Sequence, residues 1–298
     1  MKPFLRILLP AAVCGLLLGA CTQRQTTLKF MSYNIRNGRG IDNVQDLGRV
    51  AEIINRTAPD IVALQELDSV TGRMAGRFIP GELGEMTGMH ARFCRAIDYD
   101  GGAYGVGLLS RDEPLAVRRI PLPGREESRV LFVAEFPDYV VCVTHLSLTP
   151  EDQRASLPII RTVTDTCRKP VLLAGDFNEP SHLDWTDATR AMWDHDGCVV
   201  PWDCSVMLYG AGLRDVYRVI HPDPATHPGF TYPADNPATA VEKLTWAPDA
   251  DERDRIDFIY YLPGGAFVPK RVEVVGPSSS IVDRKSTRQN SSHSRRSR

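Results

Sequence analysis

Leu28-Lys-Phe-Met-Ser-Tyr-Asn-Ile35 and Ile61-Val-Ala-Leu-Gln-Glu-Leu67 both read as strands, and between them Val44 to Thr57 carries apolar side chains at helical spacing. The chain thus starts strand, helix, strand. Further on, short strands are expected at Tyr104–Leu109, Leu115–Ile120, Arg129–Phe136 and Tyr139–Leu146. Turn residues such as Asp112-Glu113-Pro114 and Pro137-Asp138 separate them, so that block reads as antiparallel. A helix over Glu151–Thr166, a strand over Pro170–Ala174 and late strands over Arg255–Leu262 and Lys270–Val275 complete the pattern. Helical and hairpin connections in one chain imply an α/β fold whose sheets are covered by helices. Residues Pro180 to Asp254, rich in Trp, Pro and Asp, read as a long connection on the same domain. No internal repeat or linker divides the body.

The chain has 298 residues, room for one large domain or two small ones. With 43% hydrophobic and 24% charged residues, disorder, collagen and coiled coil are excluded for the body. The formal charge of −2 hides an asymmetry. Without Lys2, Arg6 and the six basic residues from Arg284 onward, 27 basic residues face 37 acidic ones. An acidic body argues against non-specific nucleic-acid binding, which draws its affinity from Lys and Arg on phosphates, but leaves room for a metal-bridged phosphate substrate.

The two ends differ from the body. Lys2 and Arg6 precede the apolar run Ile7–Leu18, so residues 1–20 read as a signal peptide. Leu18-Gly19-Ala20-Cys21 resembles a bacterial lipobox. That resemblance implies lipidation of Cys21 and a membrane anchor without a spanning helix, hence a place at the cell envelope. Beyond Cys21 the cysteines are Cys94, Cys142, Cys167, Cys198 and Cys204, an odd number without regular spacing. They are expected to be unpaired, with a Cys198–Cys204 loop as the alternative. The domain is expected over residues 28–282. The tail at 283–298 has no apolar residue and reads as foreign to the fold, an incomplete end; otherwise it would be a basic arm for nucleic acid or anionic lipid.

Five stretches place polar groups at the ends of apolar strands, where loops expose them: Ser32-Tyr-Asn34-Ile-Arg36, Ala63-Leu-Gln-Glu66, Val143-Thr-His145-Leu-Ser147, Ala174-Gly-Asp176-Phe-Asn178 and Arg255-Ile-Asp257-Phe258. Singly, each has an ordinary structural reading: a salt-bridging Glu66, a hydrogen-bonded His145, a turn at Asp176 and Asn178, an ion pair of Asp257 with Arg255. Jointly they offer chemistry. Glu66 and Asn34 are hard oxygen donors suited to magnesium, manganese or calcium, and no Cys or His cluster has zinc spacing. His145 and Asn178 can hold phosphate oxygens, and Asp176 can orient or deprotonate a water. The set reads as metal-assisted phosphoester hydrolysis.

In order and wording these motifs, with Tyr104-Gly-Val-Gly-Leu-Leu-Ser-Arg111, resemble the endonuclease/exonuclease/phosphatase superfamily from about Leu28 to Val275. That superfamily includes pancreatic-type deoxyribonucleases, abasic-site endonucleases, neutral sphingomyelinases and inositol-polyphosphate phosphatases. The resemblance implies a four-layer, deoxyribonuclease-like α/β sandwich of two mixed β-sheets flanked by helices. It implies a metal site at Asn34 and Glu66, a phosphate and water site at His145, Asp176 and Asn178, and Tyr104 lining it. Asp257 would orient a second histidine near the C-terminus. The family's terminal Ser- or Thr-Asp-His motif is not matched after Val282, and His293 lacks the preceding Asp. A non-catalytic metal- or phosphate-binding lipoprotein is therefore the alternative expectation. Arg36 replaces a carboxylate typical of the abasic-site branch. The expected substrate is a lipid, nucleotide or sugar phosphoester, with nucleic acid less favoured. Trp185, Trp193, Trp202 and Trp246 read as local core, or else as a hydrophobic rim for that substrate.

Overall fold

The computed structural model describes residues 27–40, 44–193, 195–232, 254–264 and 267–275. The signal segment, Cys21, Trp246, His293 and the basic tail lie outside the described residues. The opening unit is β1 (Phe30–Asn34), α1 (Leu47–Thr57) and β2 (Ile61–Ser69), with β1 and β2 parallel. Helix α1 starts where the Asp46 carboxylate accepts the Gly48 and Arg49 N–H groups, and it stops at Ala58 in a left-handed conformation. This cap places the helix start after Val44, inside the expected range.

Next come α2 (Ile79–Thr87), β3 (His90–Tyr99) and β4 (Gly102–Ser110). Sequence reading missed α2 and β3 for physical reasons. Pro80, Gly81 and Gly84 interrupt α2, which is held by burying Ile79 and Leu83, and Pro80 is tolerated because it lies in the first turn. The strand β3 carries His90, Arg92, Arg95 and Asp98, charges that an edge strand can leave in solvent. The four strands form a sheet in the order β1-β2-β4-β3.

The second sheet holds β5 (Ala116–Leu122), β6 (Arg129–Glu135), β7 (Val140–His145), β8 (Val171–Asp176), β9 (Arg214–Asp215) and β10 (Asp257–Tyr261), in the order β5-β6-β7-β8-β10-β9. Only β7 and β8 are parallel, joined by α3 (Pro150–Thr166). The long connection contributes α4 (Asp203–Gly210), β9 and the short α5 (Val216–Ile220). The stretch expected as a strand at Lys270–Val275 joins no ladder among the described residues.

Three apolar clusters define four layers. Val50, Ile54, Val62, Leu64, Ile79 and Leu83 pack α1 and α2 on the first sheet. Ile61, Ala63, Val106, Leu108, Phe132 and Val143 fill the space between the sheets. Leu131, Cys142, Leu157, Ile160, Leu173 and Leu208 pack α3 and α4 on the second sheet. Strands buried on both faces read as continuous apolar runs, and β6, β7 and β8 do so. All five described cysteines are free thiols, so the Cys198–Cys204 loop is not closed. No helix among the described residues is long and apolar enough to cross a membrane.

Candidate active site

One amide links polar groups of the two sheets. Asn34, the last residue of β1, is 2% exposed. Its Oδ1 accepts the Arg36 N–H at 3.0 Å, and its Nδ2 donates to Glu66 Oε1 at 3.0 Å and to Asp176 Oδ2 at 2.9 Å. Glu66 belongs to the first sheet and Asp176 to the second.

A local irregularity delivers Glu66. Along β2, Ile61 and Ala63 face the second sheet while Val62 and Leu64 face the helices. Continued alternation would put Glu66 under α1. Instead the register shifts between Leu64 and Leu67, Glu66 takes φ 55°, and Leu67 occupies the helix side. A left-handed glutamate costs on the order of 1 kcal/mol and persists where the surroundings impose it.

On the second sheet, regular pairing does the same work. His145 and Asp257 are both register partners of Asp176, one on each side of β8. His145 Nε2 lies 4.0 Å from Asp176 Oδ2. Gly175, at φ 151°, lets β8 approach β7, because a Cβ there would overlap the Thr144 carbonyl. After β8 the chain turns. The Asn178 N–H donates to Asp176 Oδ1 at 2.9 Å and its Nδ2 to the Leu146 carbonyl at 2.8 Å, with Asn178 at φ 53°. The turn reading of Gly175-Asp-Phe-Asn178 therefore holds, and the same turn fixes the Asp176 carboxylate that meets Asn34.

Tyr104 stands in β4 opposite Asp68, two residues beyond Glu66. Burial holds its phenol well above its ordinary pKa, and the Glu66 and Glu127 carboxylates push it further, so it remains a proton-bearing donor. Sequence reading brought forward Asn34, Glu66, His145, Asp176 and Asn178, and the structure places them together. Asp257 flanks them one strand away. Arg255, which the sequence set beside Asp257, pairs with two other carboxylates: its Nη2 lies 2.9 Å from Asp184 Oδ2 and 2.6 Å from Asp215 Oδ2. Burial opposes the charge of Arg255, and the two carboxylates outweigh it and raise its pKa. Of the tryptophans, Trp185 is 8% exposed, stacked on His195 at 4.0 Å with its Nε1 donating to Asp254, and Trp202 meets it edge to face at 5.2 Å. Trp193 meets Phe230 edge to face at 4.9 Å. Trp185 is local core, and Trp193 and Trp202 are half-buried around it and its His195 neighbour.

Several neighbours escaped the sequence. Arg73 donates to both oxygens of the buried Asp68, at 3.1 and 3.2 Å, and lies over the Tyr99 and Tyr104 rings at 4.4 and 5.3 Å. Arg129 is 5% exposed and pairs with Glu127 at 3.2 Å. Burial raises the Glu127 pKa, Arg129 opposes it, and Glu66 adds to it. Burial lowers the Arg36 pKa, with Glu66 opposing. Arg125-Glu-Glu-Ser-Arg129 reads as an ordinary solvated turn in sequence, and only the closure of the sheets brings it near Glu66.

The donors suit a hard divalent cation. Glu66 and Asp176 bring carboxylate oxygens to one place around the Asn34 amide, whose own oxygen accepts the Arg36 N–H, although among the described residues no three His, Cys, Asp or Glu side chains form a cage by themselves. Beside them the Gln65 carboxamide, 0% exposed and across from Asn34 in the register, has no hydrogen-bond partner among the described residues. An orphaned buried amide oxygen next to a carboxylate fits such an ion.

A model of the Endonuclease/Exonuclease/phosphatase family matches residues 31–282. The chain belongs to this family. Its members are hydrolases acting on phosphoester bonds and generally use divalent metal ions. An uncharacterised protein of Caenorhabditis elegans is 35% identical over 103 residues, which are 35% of this chain and 31% of that protein. The chain thus spans about a third of the length of this relative. Exodeoxyribonuclease III of Haemophilus influenzae is 26% identical over 225 residues, 65% of this chain and 76% of the relative. Among solved structures, a mannosyl-6-phosphatase of Bacteroides thetaiotaomicron has a TM-score of 0.53 at 15% identity, covering 80% of this chain and 86% of its own. The Danio rerio TDP2 structure complexed with single-strand DNA product has a TM-score of 0.55 at 19% identity, covering 85% of this chain and 91% of its own. At such identity these two show the shared fold.

Proposed function

We propose that this chain is a magnesium-dependent phosphodiesterase or phosphatase of the cell envelope, tethered by lipid on Cys21. The observation that carries the catalytic reading is the Asn34 amide donating at once to Glu66 and to Asp176, with His145 alongside: strand ends from two sheets converge on one polar point.

Glu66 and Asn34 would hold the magnesium ion, with Gln65 beside them. The ion, when bound, polarises the phosphoryl oxygens and neutralises charge that grows as the ester breaks. Asp176, fixed by the Asn34 amide and the Asn178 N–H, orients an attacking water and accepts its proton. His145 and the Asn178 amide donate to the non-bridging oxygens; one N–H of Asn178 is taken by the Leu146 carbonyl and the other serves the phosphate. Tyr104, kept protonated, lines the Glu66 side. Manganese and calcium share the oxygen chemistry and are the alternatives to magnesium. The acidic body favours a lipid, nucleotide or sugar phosphoester over duplex DNA.

The test is release of nitrophenol from bis-p-nitrophenyl phosphate and p-nitrophenyl phosphate by metal-stripped protein with magnesium, manganese, calcium or zinc returned. Metal-restored turnover that is lost in Glu66→Ala and His145→Ala supports the reading. Equal rates in those variants overturn it. Tethering is tested separately by incorporation of labelled palmitate, expected in the wild type and absent in Cys21→Ala.

A further inference from the structure

Gln153, in the first turn of α3, is 2% exposed and belongs to no motif read from the sequence. Its Nε2 donates toward three main-chain carbonyls: Ser147 at 2.8 Å, Asn178 at 3.1 Å and Phe177 at 3.3 Å. With two N–H bonds for three acceptors, one bond is shared. The first carbonyl lies two residues after His145, in the loop leaving β7. The other two lie one and two residues after Asp176, in the loop leaving β8.

We propose that Gln153 is a positioning residue that sets the spacing of His145 against Asp176 and Asn178. The inference rests on the reading of those three residues as the phosphate and water site. The loops are already laced directly, by the Leu146 N–H to the Asp176 carbonyl and by the Asn178 amide to the Leu146 carbonyl. Gln153 adds a fastening from outside both loops, on a rigid element. Helix α3 does not need it for anchorage, because Leu157, Ile160 and Val163 seat the helix on the second sheet. Nor does the first turn need it: the Asp152 carboxylate accepts the Arg125 N–H at 2.7 Å. What the Gln153 amide supplies is donors for buried carbonyls whose other option is to move, and movement of about 1 Å at a reacting centre costs roughly a hundredfold in rate.

Two variants test this. Gln153→Met keeps the length and removes both donors. Its kcat is expected to fall about 10- to 100-fold with KM within about threefold, and a Tm within about 5 °C of wild type. Gln153→Glu can donate one O–H while protonated, whereas its ionised form confronts carbonyl oxygens; its kcat relative to wild type is expected to rise as the pH is lowered. A purely structural glutamine predicts neither the kcat-only loss nor that pH trend. Wild-type kcat in folded Gln153→Met, a loss in KM alone, or a pH-independent ratio for Gln153→Glu overturns the proposal. Amide hydrogen exchange gives a readout that needs no turnover: faster exchange confined to residues 146–149 and 177–179 supports the fastening, and unchanged exchange refutes it. Absence of wild-type turnover on every phosphoester refutes the hydrolase reading instead, and leaves the exchange result to decide whether Gln153 joins the loops.

Discussion

The two sheets supply the site in different ways. At the first sheet, Asn34 ends a regular strand, whereas Glu66 arrives through irregular backbone at φ 55°, beside Arg36 and Asn37 at φ 46°. At the second, His145, Asp176 and Asp257 arrive through ideal register across three adjacent strands. The difference separates two sources of precision. A register is fixed by many ladder bonds and two buried faces, and a slip of one residue would turn every side chain over. A bulge is fixed by a few local contacts and by the groups it brings together, so strain at Glu66 is coupled to the hydrogen bond its carboxylate accepts from Asn34.

This contrast can be broken at the register first. Gly175→Ala forces a Cβ against the Thr144 carbonyl in the β7–β8 pair. It is expected to cost about 3 kcal/mol in urea denaturation and to remove activity with it. Removal of single functional groups comes next. Asp176→Ala, like His145→Ala and Glu66→Ala, is expected to lower the hydrolysis rate about a hundredfold or more. Equal rates in any of them would take that residue out of the site.

The bulge is sharpened by comparing two replacements at one position. Glu66→Gly and Glu66→Ala both remove the carboxylate, yet only glycine relaxes φ 55° without cost. The glycine variant is expected to be more stable by about 1 kcal/mol, read from the denaturation midpoints. Equal midpoints would mean that the backbone at Glu66 stores no strain.

The smallest expected effect concerns the loop after β7. Glu126 accepts from the Ser147 hydroxyl at 2.7 and 2.9 Å, from the Leu148 N–H at 2.8 Å and from the Thr149 hydroxyl at 3.1 Å. Partial burial works against its charge, but these bonds with Arg129 prevail and hold its pKa at about 2. A carboxylate held below its unfolded value stabilises the fold above that value and loses the contribution as the pH falls toward about 2. Wild type is therefore expected to lose stability between roughly pH 4.5 and 2 more steeply than Glu126→Gln, by urea midpoints across that range. Parallel curves would remove Glu126 from the loop's support.

The sequence made the seven expected strands from Leu28 to Ala174, the one over Arg255–Leu262 and both long helices legible, because each is a run whose period or apolar content reports its own burial. It concealed α2 and β3, where Pro80, the glycines and the edge charges mask the pattern. It also suggested a strand at Lys270–Val275, which joins no ladder among the described residues. The candidate residues Asn34, Glu66, His145, Asp176 and Asn178, which the structure brings together, were legible as polar groups at strand ends. Arg73, Glu127, Arg129 and Gln153 were not, since a charge or an amide in a turn or a helix carries no sign of what it will meet.

What the sequence by itself determined is the inventory: apolar strands with Asn34, Glu66, His145, Asp176 and Asp257 at or near their ends. The tertiary structure decided the encounters. Asn34 and Asp176 are 142 residues apart in the chain and 2.9 Å apart through one hydrogen bond, a contact made when two sheets bury a common apolar layer. Local propensity acts over a few residues, whereas the position of one sheet's edge against the other's is set by the packing of whole faces.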